Sequence, residues 1–279
     1  DGCDYTCSFC TIPQARGKSR SNTVKKTKEI AQQISNTNIR EIVLTGVNIG
    51  DFGKGTSENF LDLIQELDSI KNIDRIRISS IEPNLLTDEI IKFCFSSKKF
   101  TPHFHIPLQS GSNRILKKMR RRYFVETYLE RINFIKSLDS MACIGVDVIV
   151  GFPGEKEEDF LKTYDFLNNL DISYLHVFTY SERTNTDALK IKKTIPNNVR
   201  ADRSKMLRIL SEKKKRLFYE RSLKTKKLVL FESHRNEKLI GHTGNYIKVL
   251  VPGPKDFINS IKKVEIHHNA GTHVEGFVL

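Results

Sequence analysis

Residues 143–170 read CIGVDVIVGFPGEKEEDFLKTYDFLNNL. The first eight form an apolar, β-branched run of strand length. Gly151-Phe152-Pro153-Gly154 is turn chemistry. From residue 155 to 170 an apolar stripe at Phe160, Leu161, Tyr164, Leu167 and Leu170 has helical spacing, with acids at its start where the helix dipole favours them. A second strand, YLHVFT (174–179), follows. Strand, helix and strand in this order make a parallel pair with a helical crossover.

The pattern repeats towards the N-terminus. Strands are expected at 40–44 (REIVL), 75–79 (RIRIS) and 103–108 (HFHIPL), and helices at 25–35, 60–70, 87–95, 113–120 and 125–138. The expected fold class is α/β, an open or partial β/α barrel. Five strands are visible and a sixth is expected just before residue 1, so the chain reads as a fragment lacking its upstream part. In such barrels functional residues gather at the C-terminal ends of strands. Here those ends carry TGVNIG (45–50), SSIEP (79–83), PLQSGS (107–112), GFPGE (151–155) and YSER (180–183). Five successive loops rich in Gly, Asn, Gln, Ser and Glu at one end predict a site for a polar small molecule.

Near the start stands Cys3-Asp-Tyr-Thr-Cys7-Ser-Phe-Cys10. Three thiolates can hold a 4Fe–4S cluster by three irons and leave the fourth open, as S-adenosylmethionine binding and radical chemistry require. The competing reading is a structural zinc site, which takes four ligands; the first histidine is as far away as His103. Cys94 and Cys143 stand alone in apolar stretches and read as small buried hydrophobes. No secretory signal precedes the clustered thiols, which predicts a reducing, cytoplasmic setting. The longest apolar run, 144–150, is too short to span a membrane. His103 and His105 share one strand face, and with no further cluster to complete a metal site they read as structural or pocket-lining.

The formal charge of +13 points to a polyanionic partner. Residues 201–223 read as a long basic helix with Met206, Leu207, Leu210, Leu217 and Phe218 at helical spacing. Beyond it come short strands separated by turns, the pattern of a small β-barrel of OB-like size. From Lys224 to Leu279 there are nine Lys or Arg against five Asp or Glu, which suits phosphate attraction, with Tyr246 as a stacking candidate. Phe231 and Phe257 read as core. Two domains follow: residues 1–222, the barrel core, and residues 223–279, the small β-barrel.

Taken together, DGCDYTCSFCTIPQARGKSRS (1–21), LTGVNIG (44–50), ISSIEP (78–83), HFHIPLQSGSNRILKKMRRRY (103–123), DVIVGFPGE (147–155) and GHTGNYIKV (241–249) resemble the radical S-adenosylmethionine methylthiotransferases. The nearest branch modifies N6-threonylcarbamoyladenosine beside the tRNA anticodon. The isopentenyladenosine and ribosomal-protein branches are the alternatives, and a non-catalytic RNA-binding module with a structural metal is the reading from another class. The resemblance implies that Cys3, Cys7 and Cys10 carry the catalytic cluster and that Phe9 lies near the adenine of S-adenosylmethionine. It implies that Gly46 and Asn48 hold the methionine end, Gln109 and Ser110 the ribose side, and that Gly151 and Tyr180 line the same pocket. The C-terminal segment would be a TRAM-like barrel whose Lys226, Lys227, Arg235 and Lys248 grip tRNA. An electron donor, a sulfur source and a second 4Fe–4S cluster in an N-terminal domain are implied as well. With no cysteines for that cluster here, the chain alone is expected not to insert sulfur. One departure stands out: Arg183-Thr184-Asn185-Thr186-Asp187-Ala188 replaces the family's R-P-G-T-P-A.

Overall fold

A computed structural model describes residues 1–279. A short helix α1 (Ile12–Arg16) follows the cysteine loop. Then come α2 (Val24–Ser35), β1 (Glu41–Leu44), α3 (Phe60–Asp68), β2 (Arg75–Ile78), α4 (Asp88–Ser96), β3 (His103–His105), α5 (Asn113–Lys118), α6 (Val125–Leu138), β4 (Cys143–Val150), α7 (Glu157–Asn169), β5 (Tyr174–Thr179) and α8 (Asn197–Glu220). The five strands are parallel in the order of the chain. β1–β2 and β3–β4–β5 form two ladders, and single bridges at Ile76–Phe100 and Ser80–His105 join them. The result is the open α/β barrel that the sequence predicts.

Helix starts follow local chemistry. Thr23 and Thr87 accept the amides of Lys26 and Ile90, and Asn59 with Asp62 closes a capping box on α3. The short α1 was not anticipated. The third strand is shorter than expected because Pro107 has no N–H to give the ladder. The chain still runs beside β4, with Ile106 N–H on Gly145 O and Leu108 N–H on Asp147 O. Leu161, placed on the buried stripe of α7, is exposed, while Phe160, Leu167 and Leu170 are buried.

Strand alternation divides the barrel. In β4, Ile144, Val146, Val148 and Val150 join the core under the helices, together with Ile76 and Ile78 of β2 and Phe104 of β3. The alternate residues face inward: Glu41, Arg75, Arg77, His103, His105, Asp147, Tyr174 and His176. Closed barrels of this class fill the inside with branched apolar side chains. Here the interior is polar and encloses a cavity.

The C-terminal segment is a closed five-stranded barrel of β6 (Lys226–Arg235), β7 (Lys238–Thr243), β8 (Lys248–Pro252), β9 (Ile261–Asn269) and β10 (Val274–Val278), ordered β10-β8-β7-β6-β9. Its core of Val229, Phe231, Leu239, Ile247, Val249, Val251, Val264, Ile266 and Val274 is continuous with Phe218 and Tyr219 of α8 and Cys143 of β4. Phe231 is core as expected; Phe257 packs against it partly buried. The small barrel is seated on the large one by buried arginines. Arg75 donates to Leu228 O (2.8 Å) and His242 O (2.9 Å), and Arg77 to Gly244 O (3.2 Å).

Candidate active site at the cysteine loop

The cysteine loop lies across the C-terminal ends of the strands. It is held from below by the end of α5: Ser8 N–H reaches Met119 O (3.1 Å) and Ser8 Oγ reaches Lys118 O (2.8 Å). From the side it is held by the segment after β5, where Ala188 N–H meets Ser8 O at 2.8 Å. That segment is the departure noted above. Asn185, at the glycine position, has φ 62°, a left-handed conformation that Asn tolerates. Its carbonyl accepts Gln14 Nε2–H at 2.7 Å, so the turn keeps its place against the loop without Gly or Pro.

Each sulfur accepts an N–H. Cys3 Sγ takes Tyr5 N–H (3.4 Å), Cys10 Sγ takes Ile12 N–H (3.5 Å), and Cys7 Sγ takes Arg121 Nη1–H (3.2 Å). Burial pushes the Cys3 and Cys7 thiols up from their ordinary range. Donors aimed at sulfur favour thiolate, and iron binding supplies the remaining drive to deprotonate. Arg121 also pairs with Glu82 and donates to Tyr123 Oη (3.1 Å), all nearly out of solvent. Cys94 and Cys143 are buried apart from the loop, their thiols pushed up to about 12 by burial.

Next to the loop, Phe9, Phe152 and Tyr180 form an edge-to-face chain, with centroids 6.3 Å and 5.6 Å apart. On the loops that follow β1, β2, β3 and β5, four buried polar atoms lack protein partners: Asn48 Oδ1, Asn84 Oδ1, Gln109 Oε1 and Tyr180 Oη. Such atoms are costly unless a ligand meets them. Three are acceptors, suited to an ammonium and to ribose hydroxyls. Three sulfurs without a converging fourth protein ligand, beside orphaned amide oxygens, fit a site-differentiated cluster with S-adenosylmethionine.

Of the residues expected here, Phe9, Asn48, Gln109 and Tyr180 therefore share one end of the barrel with the cysteines. Gly151 has φ 76° and leaves no room for a side chain against Arg200, while its N–H meets Glu155 Oε2 at 2.8 Å. Gly46 stands in ordinary contact with Ile49. Ser110 is engaged elsewhere: its fully buried hydroxyl accepts Ser112 N–H (3.2 Å) and lies 3.4 Å from Thr163 Oγ1 of α7. Lys226, Lys227, Arg235 and Lys248 do not form one patch. The first two begin β6, Arg235 ends it about 30 Å away, and Lys248 faces the interior cavity. Sequence reasoning missed Tyr5, Asn84, Arg121 and Phe152; only the run MRRRY hinted at Arg121.

The expectation that no further cluster stands beside His103 and His105 is corrected for His105 alone; His103 lies outside that cluster and, like His105, lines the interior cavity. Asp147 of β4 and His176 of β5 join His105, all three ligand atoms lying within 4.8 Å of one another. Asp147 and His176, 42 and 71 positions beyond His105 in sequence, meet it because parallel strands align their inward positions, as Gly145 with His105 and Asp147 with His176.

The family model of the Radical SAM superfamily matches residues 1–167. This chain belongs to that superfamily. Among curated relatives, threonylcarbamoyladenosine tRNA methylthiotransferase MtaB of Bacillus subtilis (strain 168) is 40% identical, covering 95% of this chain and 60% of that protein. The same enzyme of Aquifex aeolicus (strain VF5) is 41% identical over 92% and 62%. The tRNA-2-methylthio-N(6)-dimethylallyladenosine synthase of Protochlamydia amoebophila (strain UWE25) is 33% identical over 95% and 60%. The chain thus spans about 60% of the length of these relatives. Coproporphyrinogen III oxidase HemN of Escherichia coli, a radical SAM enzyme, superposes with a TM-score of 0.54 at 14% identity, covering 87% of this chain and 63% of that one. The radical S-adenosylmethionine methyltransferase TsrM of Kitasatospora setae also gives 0.54, at 15% identity over 64% and 32%. These two likenesses describe the fold of the large barrel. No helix is long and apolar enough to cross a membrane.

Proposed function

We propose that this chain forms the radical-generating core (residues 1–222) and RNA-holding, TRAM-like barrel (residues 223–279) of a methylthiotransferase that modifies threonylcarbamoyladenosine in tRNA. The observation that carries the reading is the set of three N–H-bonded thiols beside orphaned amide oxygens, in a chain 40% identical to MtaB. Cys3, Cys7 and Cys10 would hold a 4Fe–4S cluster, and Asn48, Asn84 and Gln109 would accept hydrogen bonds from the amino group and ribose of S-adenosylmethionine. When bound, that pair supplies radical chemistry. The protein's part is to orient the cofactor against Phe9, Phe152 and Tyr180, keep water from it, and balance thiolate charge with Arg121. The +13 charge supports a tRNA partner, with Lys226 and Lys227 on the small barrel beside Lys98 and Lys99 of the core. Sulfur insertion belongs to the intact, cytoplasmic enzyme with a second cluster, an electron donor and a sulfur source. Cys94 and Cys143, each buried and alone, offer no ligand set for it.

The test is anaerobic reconstitution with iron and sulfide, then EPR of the reduced chain with and without S-adenosylmethionine. The expected result is a 4Fe–4S signal that changes when S-adenosylmethionine is added and is absent from Cys7→Ala. One equivalent of zinc with no iron uptake would overturn the reading in favour of an RNA-binding module.

A further inference from the structure

Between the inner face of the large barrel, α8 and the small barrel lies a cavity of about 810 Å³. It runs from Ser79 and Ser80 at the strand ends to Lys215 of α8 and Lys248 of β8. Neither lysine is paired with a carboxylate, unlike Lys226 and Lys238 of the same barrel, which face Glu265 and Glu275. Burial and the charge of Lys248 both weigh against protonation of Lys215. Glu41 and Glu232 line the same cavity, but Glu41 pairs with Arg77 and Glu232 meets His242, so the two lysines are left as like charges turned to one space, an arrangement that a bound anion relieves.

The middle of the cavity is polar in a directed way. Asp147 Oδ1 lies 2.8 Å from His105 Nε2 and 3.3 Å from His176 Nδ1. With Asp147 ionised, both imidazoles donate to it. His105 Nδ1 and His176 Nε2 are then left for other partners. His103, also lining the cavity, is almost fully buried; its Nε2 meets Tyr174 Oη at 3.1 Å and its Nδ1 has no partner.

The relatives named above modify adenosines that differ in one substituent. Threonylcarbamoyl carries a carboxylate, a hydroxyl and urea-type N–H groups; dimethylallyl is all hydrocarbon. A dimethylallyl group here would desolvate two ammoniums and three imidazoles without repaying them. We propose that this cavity receives the carbamoyl-threonine arm of the substrate base, its carboxylate on Lys215 and Lys248 and its hydroxyl and carbamoyl groups on His103, His105 and His176. The proposal rests on threonylcarbamoyladenosine being the substrate.

The test uses the 279-residue chain and three probes: N-carbamoyl-L-threonine, its neutral amide, and 3-methylbut-2-en-1-ol. The readout is the histidine Cε1–H NMR lines. N-carbamoyl-L-threonine is expected to shift the His105 and His176 lines saturably with a Kd of about 1 mM, several-fold tighter than the amide. The alcohol should leave them still. The double variant K215Q/K248Q should keep its fold, by melting temperature, and lose the preference for the acid over the amide. Equal response to acid and amide, a response to the alcohol alone, or acid binding unchanged in K215Q/K248Q would overturn the proposal. So would a tight equivalent of Zn²⁺ on His105, Asp147 and His176 that excludes the probe. In the intact reconstituted enzyme, K215Q/K248Q should raise KM for threonylcarbamoyladenosine-bearing tRNA about tenfold. An unchanged KM would overturn the pocket and leave the substrate reading standing. Methylthiolation of dimethylallyladenosine tRNA alone would overturn the substrate reading, and the pocket with it.

Discussion

Arg121 ties three functions to one buried guanidinium: it donates to Cys7 Sγ, pairs with Glu82 and anchors Tyr123. Arg121→Leu strands the Glu82 carboxylate, whose side chain is 16% exposed. The expected cost is about 3 kcal/mol, read as a lowered melting temperature. Because an N–H on a ligating sulfur stabilises the more reduced cluster, the variant's reconstituted cluster should also show a lower potential in an EPR-monitored titration. An unchanged potential would assign Arg121 to packing alone. At this scale the sequence is clear for the cysteines, whose chemistry and spacing are local. For Arg121 it offers only the basic run MRRRY, because the partners that give the residue its role, Cys7 and Glu82, come from distant segments. Asn185 shows the reverse case: a departure from the family pattern keeps the turn because Asn adopts the left-handed conformation that glycine would.

At the scale of elements, the turn PLQSGS and helix α7 are clamped together. Gly111 N–H meets Thr163 Oγ1 (3.0 Å), and Ser112 Oγ meets Asp159 Oδ1 (2.8 Å). Arg114 pairs with Asp159, which also caps α7 through Lys156 N–H at 2.9 Å. Burial pushes the Asp159 carboxyl up, but Arg114, Ser112 and the Lys156 amide together hold it down at about 2. A carboxyl with a depressed folded pKa gives stability that is present above the unfolded value near 4 and is lost as pH falls towards 2. The contribution is roughly 2 kcal/mol. Asp159→Asn should therefore lower stability at pH 7 and flatten the acid limb between pH 4 and 2 in urea titrations. An acid limb as steep as wild type would assign the transition to other carboxylates. Helix α7 and strand β4 are legible because periodicity and caps are local. The early end of β3 is legible only in hindsight from Pro107. The His105–Asp147–His176 trio is not, since it needs the strand register.

For the whole molecule, the decisive contacts are the inward arginines of β2. The alternation RIRIS marks Arg75 and Arg77 as sharing a face, but no local signal says that they reach carbonyls more than 150 residues away. Arg75→Ala removes two charged hydrogen bonds to Leu228 and His242. It should cost about 3 kcal/mol and open residues 221–225 to limited proteolysis before the core unfolds. Protection equal to wild type would show that the apolar seam of Cys143, Phe218 and Tyr219 suffices.

That seam makes the small barrel more than an appended grip. Tyr246, in a left-handed conformation, lies with Arg77 4.8 Å from its ring centroid and with the His103 ring 4.6 Å away, centroid to centroid. Lys248 stands on the same wall. One side of the interior chamber is thus written in the last quarter of the chain. The two modules are not interchangeable parts: grafting residues 223–279 from a dimethylallyl-type relative would exchange a wall of the chamber along with the basic outer surface of the barrel. A change confined to that module therefore reshapes the chamber without any mutation at the cysteine loop.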